Sequence, residues 1–256
     1  LIPNGSTWDE VLLLAKEIEA AGASIINTGI GWHEARIPTI ATSVPRRAFS
    51  WVTKKLMGQL KIPIVTSNRI NTADIAESVL ADGCADMVSM ARPFLADPNF
   101  MAKVYADLSQ TIVPCIACNQ ACLDHTFSMK LTSCLVNPSA CNEAEFNYQG
   151  VPKKVKKIAI IGSGPAGLSA ALTAHNRGFE VSLFEKKDVI GGQLNLASQI
   201  PGKEEFVGLL EYYNNEILRL GINLQLNYNV EINELKDFDE IIVATGVTPR
   251  TINFEV

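Results

Sequence analysis

The spacing of apolar positions changes several times along the chain, and the changes outline a run of helix and strand units. Thr7 and Glu10 stand three residues apart, as in a capping box, ahead of an apolar stripe at Val11, Leu14, Ala15 and Ile18. Gly22 then predicts a left-handed helix end. Residues 23–30 are nearly all apolar or small, as in a strand buried on both faces. Further along, a helix is expected over 46–59, a strand over 62–67, a helix from a cap at Thr72 to Gly83, and a third strand over 85–90. Alternating units with apolar strands predict a parallel sheet, closed as a barrel or open.

From 109 to 150 the periodicity fades, and Asn, Ser, Pro and Cys become frequent. Something other than a hydrophobic core organises such a segment. The pattern sharpens again at Lys156, with a strand over 158–161, a glycine-rich turn, a helix to Arg177, a strand over 181–184, a helix over 206–220 and a strand over 240–244. The chain thus divides into 1–108, 109–150 and 151–256, with α/β architecture on either side of the middle segment.

Composition narrows the classes. Hydrophobic residues at 47% and charged residues at 19% are enough for packed cores and exclude a disordered chain. A formal net charge of -5 provides no basic field for nucleic acid or an anionic membrane, so the lysine-rich run at 153–157 reads as a solvated linker. No apolar run approaches the roughly 20 residues that span a bilayer, and nothing at the start reads as a signal peptide; a cytoplasmic protein is expected. The chain opens at Leu1 without an initiator Met and stops at Val256 soon after a strand and turn, so truncation at both ends is expected. Three βα units cannot close a barrel, which places its earlier strands upstream. Nothing in the pattern fixes an oligomeric state.

Gly162-Ser163-Gly164-Pro165-Ala166-Gly167 follows a predicted strand and opens a predicted helix, the context that a dinucleotide fingerprint requires. Gly162 permits the tight turn, Gly164 lets the backbone approach a pyrophosphate, and Gly167 allows close packing of helix on strand. The helix start offers free N–H groups to the phosphates. Glu185 ends the next strand, where a carboxylate can accept from ribose hydroxyls. Packing glycines in an ordinary strand–turn–helix are the competing reading. Two more segments resemble motifs of two-dinucleotide flavoproteins: Gly191-Gly192-Gln193, and Ala244-Thr245-Gly246 at the end of a later strand. They favour FAD over NAD at this loop.

Four of the six cysteines lie between 115 and 134. With no export signal, ligation fits them better than disulfides. Cys115, Cys118 and Cys122 are spaced C-x2-C-x3-C, and Cys134 follows after eleven residues. That pattern suits a four-thiolate 4Fe–4S cubane. Structural zinc is the alternative, although the x3 gap departs from paired zinc knuckles. Cys84 and Cys141 fall outside the pattern and read as ordinary buried or half-buried residues.

The run from Cys115 to Leu123, the segment Thr132-Ser133-Cys134-Leu135-Val136-Asn137-Pro138 and the glycine fingerprint together resemble the NADH:flavin oxidoreductases fused to an FAD/NAD(P) module. Asn68-Arg69-Ile70-Asn71 and the run from Met90 to Pro98 match the same group. Within it, the run from Asn27 to Thr39, which holds Trp32-His33-Glu34-Ala35-Arg36, is similar to the 2,4-dienoyl-CoA reductases. The resemblance implies the end of a (β/α)8 FMN barrel over 1–108, a 4Fe–4S linker over 109–150 and an incomplete Rossmann-like FAD domain over 151–256. FMN would be bound by Arg69, Ala91 and Arg92, with Arg69 toward the isoalloxazine and Arg92 opposite the phosphate. FAD would be bound by Gly162, Ser163, Gly164, Pro165, Ala166, Gly167, Glu185, Gly192, Gln193, Val230 and Gly246. An acyl-CoA thioester would meet His33, Glu34, Ala35 and Arg36, with His33 serving proton delivery beside a Tyr that lies upstream.

The implied reaction is reduction of 2,4-dienoyl-CoA to enoyl-CoA in the β-oxidation of unsaturated fatty acids. Electrons would pass from NADPH to FAD, then through the cluster to FMN and substrate. The NADPH site is expected outside this chain, so the isolated piece is expected to be inactive. An ene-reductase for other enones and a non-catalytic electron-transfer module are the alternatives.

Overall fold

The computed structural model describes residues 4–32, 34–146, 154–248 and 250, and they form two compact units. The first takes Leu1–Glu143 with Pro201–Glu205, and the second takes Ala144–Ile200 with Phe206–Val256.

The first unit opens with helix α1 (Trp8–Ala20), and the predicted capping box is present: Thr7 accepts from the Glu10 N–H while Glu10 accepts from the Thr7 N–H. The predicted apolar stripe is buried only in part. Trp8, Leu12 and Ala15 pack with Leu56 and Ile64, whereas Leu14 and Ile18 stay exposed. The helix is apolar on more than one face, and the sheet in this unit takes the face spaced i, i+4, i+7. Strand β1 (Ile26–Asn27), helix α2 (Ser50–Leu56), strand β2 (Ile64–Thr66), helix α3 (Ala73–Ala81) and strand β3 (Met87–Val88) follow. The strands are parallel in the order β1-β2-β3, with Ile26 opposite Ile64 and Val65 opposite Met87. All three residues of β2, the central strand, are buried, whereas neither residue of β1, expected to be the strand buried on both faces, is buried. Beyond β3 come the short helices α4 (Arg92–Ala96) and α5 (Phe100–Tyr105) and, within the cysteine segment, α6 (Leu123–Phe127). Neither α4 nor α5 is long enough to show a period. Phe100, 2% exposed, anchors α5 edge-on against Phe94.

The second unit is built on four parallel strands: β4 (Lys157–Ile161), β5 (Glu180–Phe184), β6 (Asn223–Gln225) and β7 (Glu240–Val243). Their order is β6-β5-β4-β7, so the chain reverses direction across the sheet beside β4. Helix α7 (Pro165–Asn176) joins β4 to β5, and it buries Leu168, Ala171 and Leu172. Helix α8 (Leu194–Ala197) and helix α9 (Glu205–Leu220) precede β6. The strand at 223–225 has no apolar signature; it is an edge strand defined by its pairing with β5.

Candidate functional site

In the first unit, the loop from the turn at Ser109–Thr111 to α6 is coiled by two left-handed residues, Ala117 (φ 51°) and Asn119 (φ 62°). Ala117 is 3% exposed and is not glycine, so this geometry costs on the order of 1 kcal/mol and persists because the surroundings impose it. Asn71 donates to the Cys115 carbonyl at 3.2 Å, and the Ser133 N–H donates to the Ala121 carbonyl at 2.7 Å, which brings the Cys134 segment alongside. As a result, Cys115, Cys118, Cys122 and Cys134 all line one cavity. Arg92, Leu95 and Ile116 are among its other walls. Burial pushes the Cys115, Cys118 and Cys134 thiols up, and Arg92 pulls those of Cys115 and Cys118 down. Among the described residues no group of three or more His, Cys, Asp or Glu side chains is placed to hold a metal ion. Cys84 is buried near the Arg47 guanidinium, and Cys141 is exposed.

Arg92 starts α4, with Pro93 fixing the first turn. Its Nη1 donates to the Ile40 carbonyl at 3.0 Å and to Asn119 Oδ1 at 2.5 Å, and Asn119 Nδ2 donates to the same carbonyl at 3.1 Å. The side chain expected opposite a flavin phosphate therefore lies on the wall of the cysteine cavity. Arg69, expected toward an isoalloxazine, is 4% exposed and donates to the Val44 carbonyl at 2.7 Å and to Glu205 at 2.8 Å. Glu205 also accepts from Arg46 at 2.7 Å and from Asn71 at 2.9 Å. Burial alone would raise its carboxyl, but these donors outweigh burial and hold it below the ordinary value. Nothing local in the sequence announces this cluster, since its partners lie 134 to 159 positions apart.

Four buried side-chain atoms of the first unit find no hydrogen-bond partner among the described residues: Thr42 Oγ1, Thr66 Oγ1, Asn71 Oδ1 and Thr72 Oγ1. Three of them stand on the last residue of β2 or on the loop beyond it, the strand end where chemistry sits in parallel barrels. Unsatisfied buried polar atoms fit a polar group docking there. Ala91 directly precedes α4 and is exposed. His33 lies outside the described residues. Glu34 and Arg36 are exposed and Ala35 is half-buried, on the turn beyond β1.

In the second unit the glycine loop sits where the strand order reverses, the position at which open α/β sheets bind ligands. A Cβ on Gly162 (φ 102°) would lie 2.5 Å from the Ala244 carbonyl oxygen, and one on Gly167 would lie 1.9 Å from that of Gly162. Nothing stands within 4 Å of a Cβ on Gly164, so that position faces open space. Pro165 and Ala166 form the first turn of α7, which has no side-chain cap and leaves its first N–H groups for a ligand. Ser163 is fully buried, and its N–H and hydroxyl both donate to Glu185 at 2.8 Å. Burial raises the Glu185 carboxyl, while Ser163 and Lys187 lower it by more, so the group stays ionised and able to accept. Gly192 packs against the backbone of Gly164, and Gln193 directly precedes α8 without a side-chain cap bond. Val230 packs beside Phe184, and Gly246 (φ 73°) has open space around it.

The two units match two families. Residues 2–111 match the NADH:flavin oxidoreductase / NADH oxidase family, and residues 156–255 match pyridine nucleotide-disulphide oxidoreductase. The chain joins an NADH:flavin oxidoreductase domain to a pyridine nucleotide-disulphide oxidoreductase domain, and its relatives are flavin oxidoreductases. It is 38% identical to a metal reductase of Desulforamulus reducens over 98% of this chain and 38% of that protein. Against an NADH oxidase of Thermoanaerobacter brockii it is 32% identical over 97% of this chain and 39% of the relative. The solved complex of 2-naphthoyl-CoA reductase with 2-naphthoyl-CoA superposes with a TM-score of 0.93 at 34% identity, covering 99% of this chain and 39% of that one. The chain thus spans about two-fifths of the length of these relatives. No helix among the described residues is long and apolar enough to cross a membrane.

Proposed function

We propose that this chain is part of a cytoplasmic, flavin-dependent NAD(P)H oxidoreductase that reduces a conjugated C=C bond in an acyl-CoA thioester, with 2,4-dienoyl-CoA as its substrate. One observation carries the reading: the likeness to 2-naphthoyl-CoA reductase, 34% identical over 99% of the chain, whose solved complex holds a CoA thioester. The finer substrate rests on the segment around His33, which resembles the dienoyl-CoA reductases.

In this reading FAD lies on the glycine loop, a 4Fe–4S cluster on the four thiols, and FMN at the strand ends of the first unit. Together these groups would turn the two-electron hydride of NADPH into single electrons and back. The protein residues bind and orient. Gly162, Ser163, Gly164, Pro165, Ala166 and Gly167 cradle a pyrophosphate, while Glu185 accepts from a ribose. Gly192, Gln193, Val230 and Gly246 close around the same dinucleotide. The C-x2-C-x3-C spacing of Cys115, Cys118 and Cys122, with Cys134 after eleven residues, supports a cluster over a tetrahedral zinc site. Arg69, held by Glu205, lies toward the isoalloxazine. Ala91 and Arg92 frame the phosphate end. Glu34, Ala35 and Arg36 meet the thioester, and His33 serves its protonation.

The test is anaerobic NADPH oxidation by the full-length protein, offered 2,4-hexadienoyl-CoA, free cinnamate or cyclohexenone. Turnover confined to the thioester is the expected result. Turnover on the free acid or enone alone would move the protein to the ene-reductase reading. Cofactor reduction without turnover on any acceptor would leave a plain electron carrier.

A further inference from the structure

Ser163 follows Gly162 in the glycine loop and is fully buried, and its polar groups are all spent on segments expected beside a dinucleotide. Its N–H and its hydroxyl both donate to Glu185 Oε2 at 2.8 Å, and its carbonyl accepts from the Gly191 N–H at 2.8 Å. Ser163 therefore shapes the loop that cradles a pyrophosphate while both of its donors go to the carboxylate. The second carboxylate oxygen, Glu185 Oε1, accepts from the Lys187 N–H at 2.9 Å. An ionised carboxylate has about four acceptor positions. Ser163 fills the two on Oε2, Lys187 fills one on Oε1, and the open position is on Oε1.

Donors of this kind lock a binding group in its working geometry before a ligand arrives, so the ligand does not bear the cost of ordering it. We propose that Ser163 is a positioning residue for ribose recognition: its hydroxyl holds the Glu185 carboxylate so that Oε1 accepts from a hydroxyl of the adenosine ribose of FAD. This rests on the reading above that FAD lies on the glycine loop. It adds a residue that acts on the dinucleotide only through Glu185. The contribution of one ribose hydroxyl, and not the hold on the dinucleotide as a whole, then depends on the Ser163 side chain.

The experiment equilibrates the full-length holoprotein with FAD and an equal concentration of FAD whose adenosine lacks the 2′- or the 3′-hydroxyl. The adenine-bearing flavins retained after gel filtration are separated by chromatography, and their ratio gives the relative affinity. FMN has no adenosine and does not enter that ratio. Wild type is expected to favour FAD over at least one deoxy form by about tenfold, the scale of a hydrogen bond to a charged acceptor. In Ser163→Ala, which keeps the backbone donor and loses the hydroxyl, this preference is expected to fall to about threefold or less. A merely structural role would weaken all three flavins alike and leave the ratio unchanged, and that result overturns the proposal. Should Ser163→Ala retain no adenine-bearing flavin, Ser163→Cys is measured instead: it leaves a weak donor in place of the hydroxyl, and the preference is expected to fall in the same direction. An unchanged ratio there overturns the proposal equally. Wild type that takes up both deoxy forms as readily as FAD removes the ribose from Glu185; that failure belongs to the underlying reading and is seen before any variant is made.

Discussion

Gly164 and Gly167 stand three residues apart and are glycine for different reasons. A methyl group on Gly167 would sit 1.9 Å from the Gly162 carbonyl oxygen, with neither backbone free to move, because Gly162 is itself wedged against Ala244. Gly164 has an ordinary φ of -69° and an open approach. Gly167→Ala should therefore destabilise the second unit by about 3 kcal/mol or more, through overpacking alone. Gly164→Ala should change stability by less than about 0.5 kcal/mol, since nothing in the protein meets the new methyl group. If a dinucleotide runs past Gly164, that same substitution should nevertheless lower FAD retention. Thermal melting and flavin content after gel filtration separate the two effects. A Gly164→Ala protein that melts normally and keeps its full FAD would remove the pyrophosphate from this loop.

At the scale of elements, what the sequence revealed depended on whether the cause was local. The capping box of α1 and the strand–turn–helix at Gly162 each carry their cause within a few residues, and each was legible, whereas the apolar run at 23–30, read as a strand buried on both faces, yields only the two-residue β1 with no buried residue. Thr72, also expected as a cap, makes no side-chain cap bond and its hydroxyl finds no partner. The strand β6 and the helices α4, α5 and α8 escaped, because pairing and packing define them and no period does. The cysteines were legible by spacing, but the hydrogen bond that turns Arg92 toward them comes from Asn119, 27 positions away. Glu205 is the extreme case, since its meaning lies entirely in distant partners. Both its side chain and that of Arg69 are nearly inaccessible, at 6% and 3% exposure. Glu205→Ala should leave a buried guanidinium without its counter-charge and cost about 3–5 kcal/mol. The pH dependence has a definite sign. The folded carboxyl lies below its ordinary value of 4.5, so the stabilisation is complete above that pH and is lost as the pH falls through the depressed value. Acid melting of wild type against Glu205→Gln should show a steeper loss below pH 4.5 in the wild type, and parallel curves would mean that the carboxylate contributes nothing.

For the molecule as a whole, the two kinds of site sit in different units and suit different numbers of electrons. In the proposed reading, the glycine loop and Glu185 hold a group that takes a hydride from a nicotinamide, and the four thiols hold one that passes electrons singly. If both belong to one route, damage to the thiols should leave the first half of the route intact and stop the second. Cys134→Ser removes one of the four thiols, all of which belong to the first unit. In the full-length protein, NADPH should still bleach the FAD absorbance of this variant at close to the wild-type rate. Reduction of the thioester should fall by at least about tenfold, the scale on which even outer-shell losses act at metal sites. Stopped-flow absorbance and steady-state turnover on the same sample read the two halves separately. Equal loss of both would mean that the substitution unfolds the protein, which its melting curve would reveal. Undiminished thioester reduction would take the cysteines out of the electron route and leave them a structural role, with zinc then the metal to assay for.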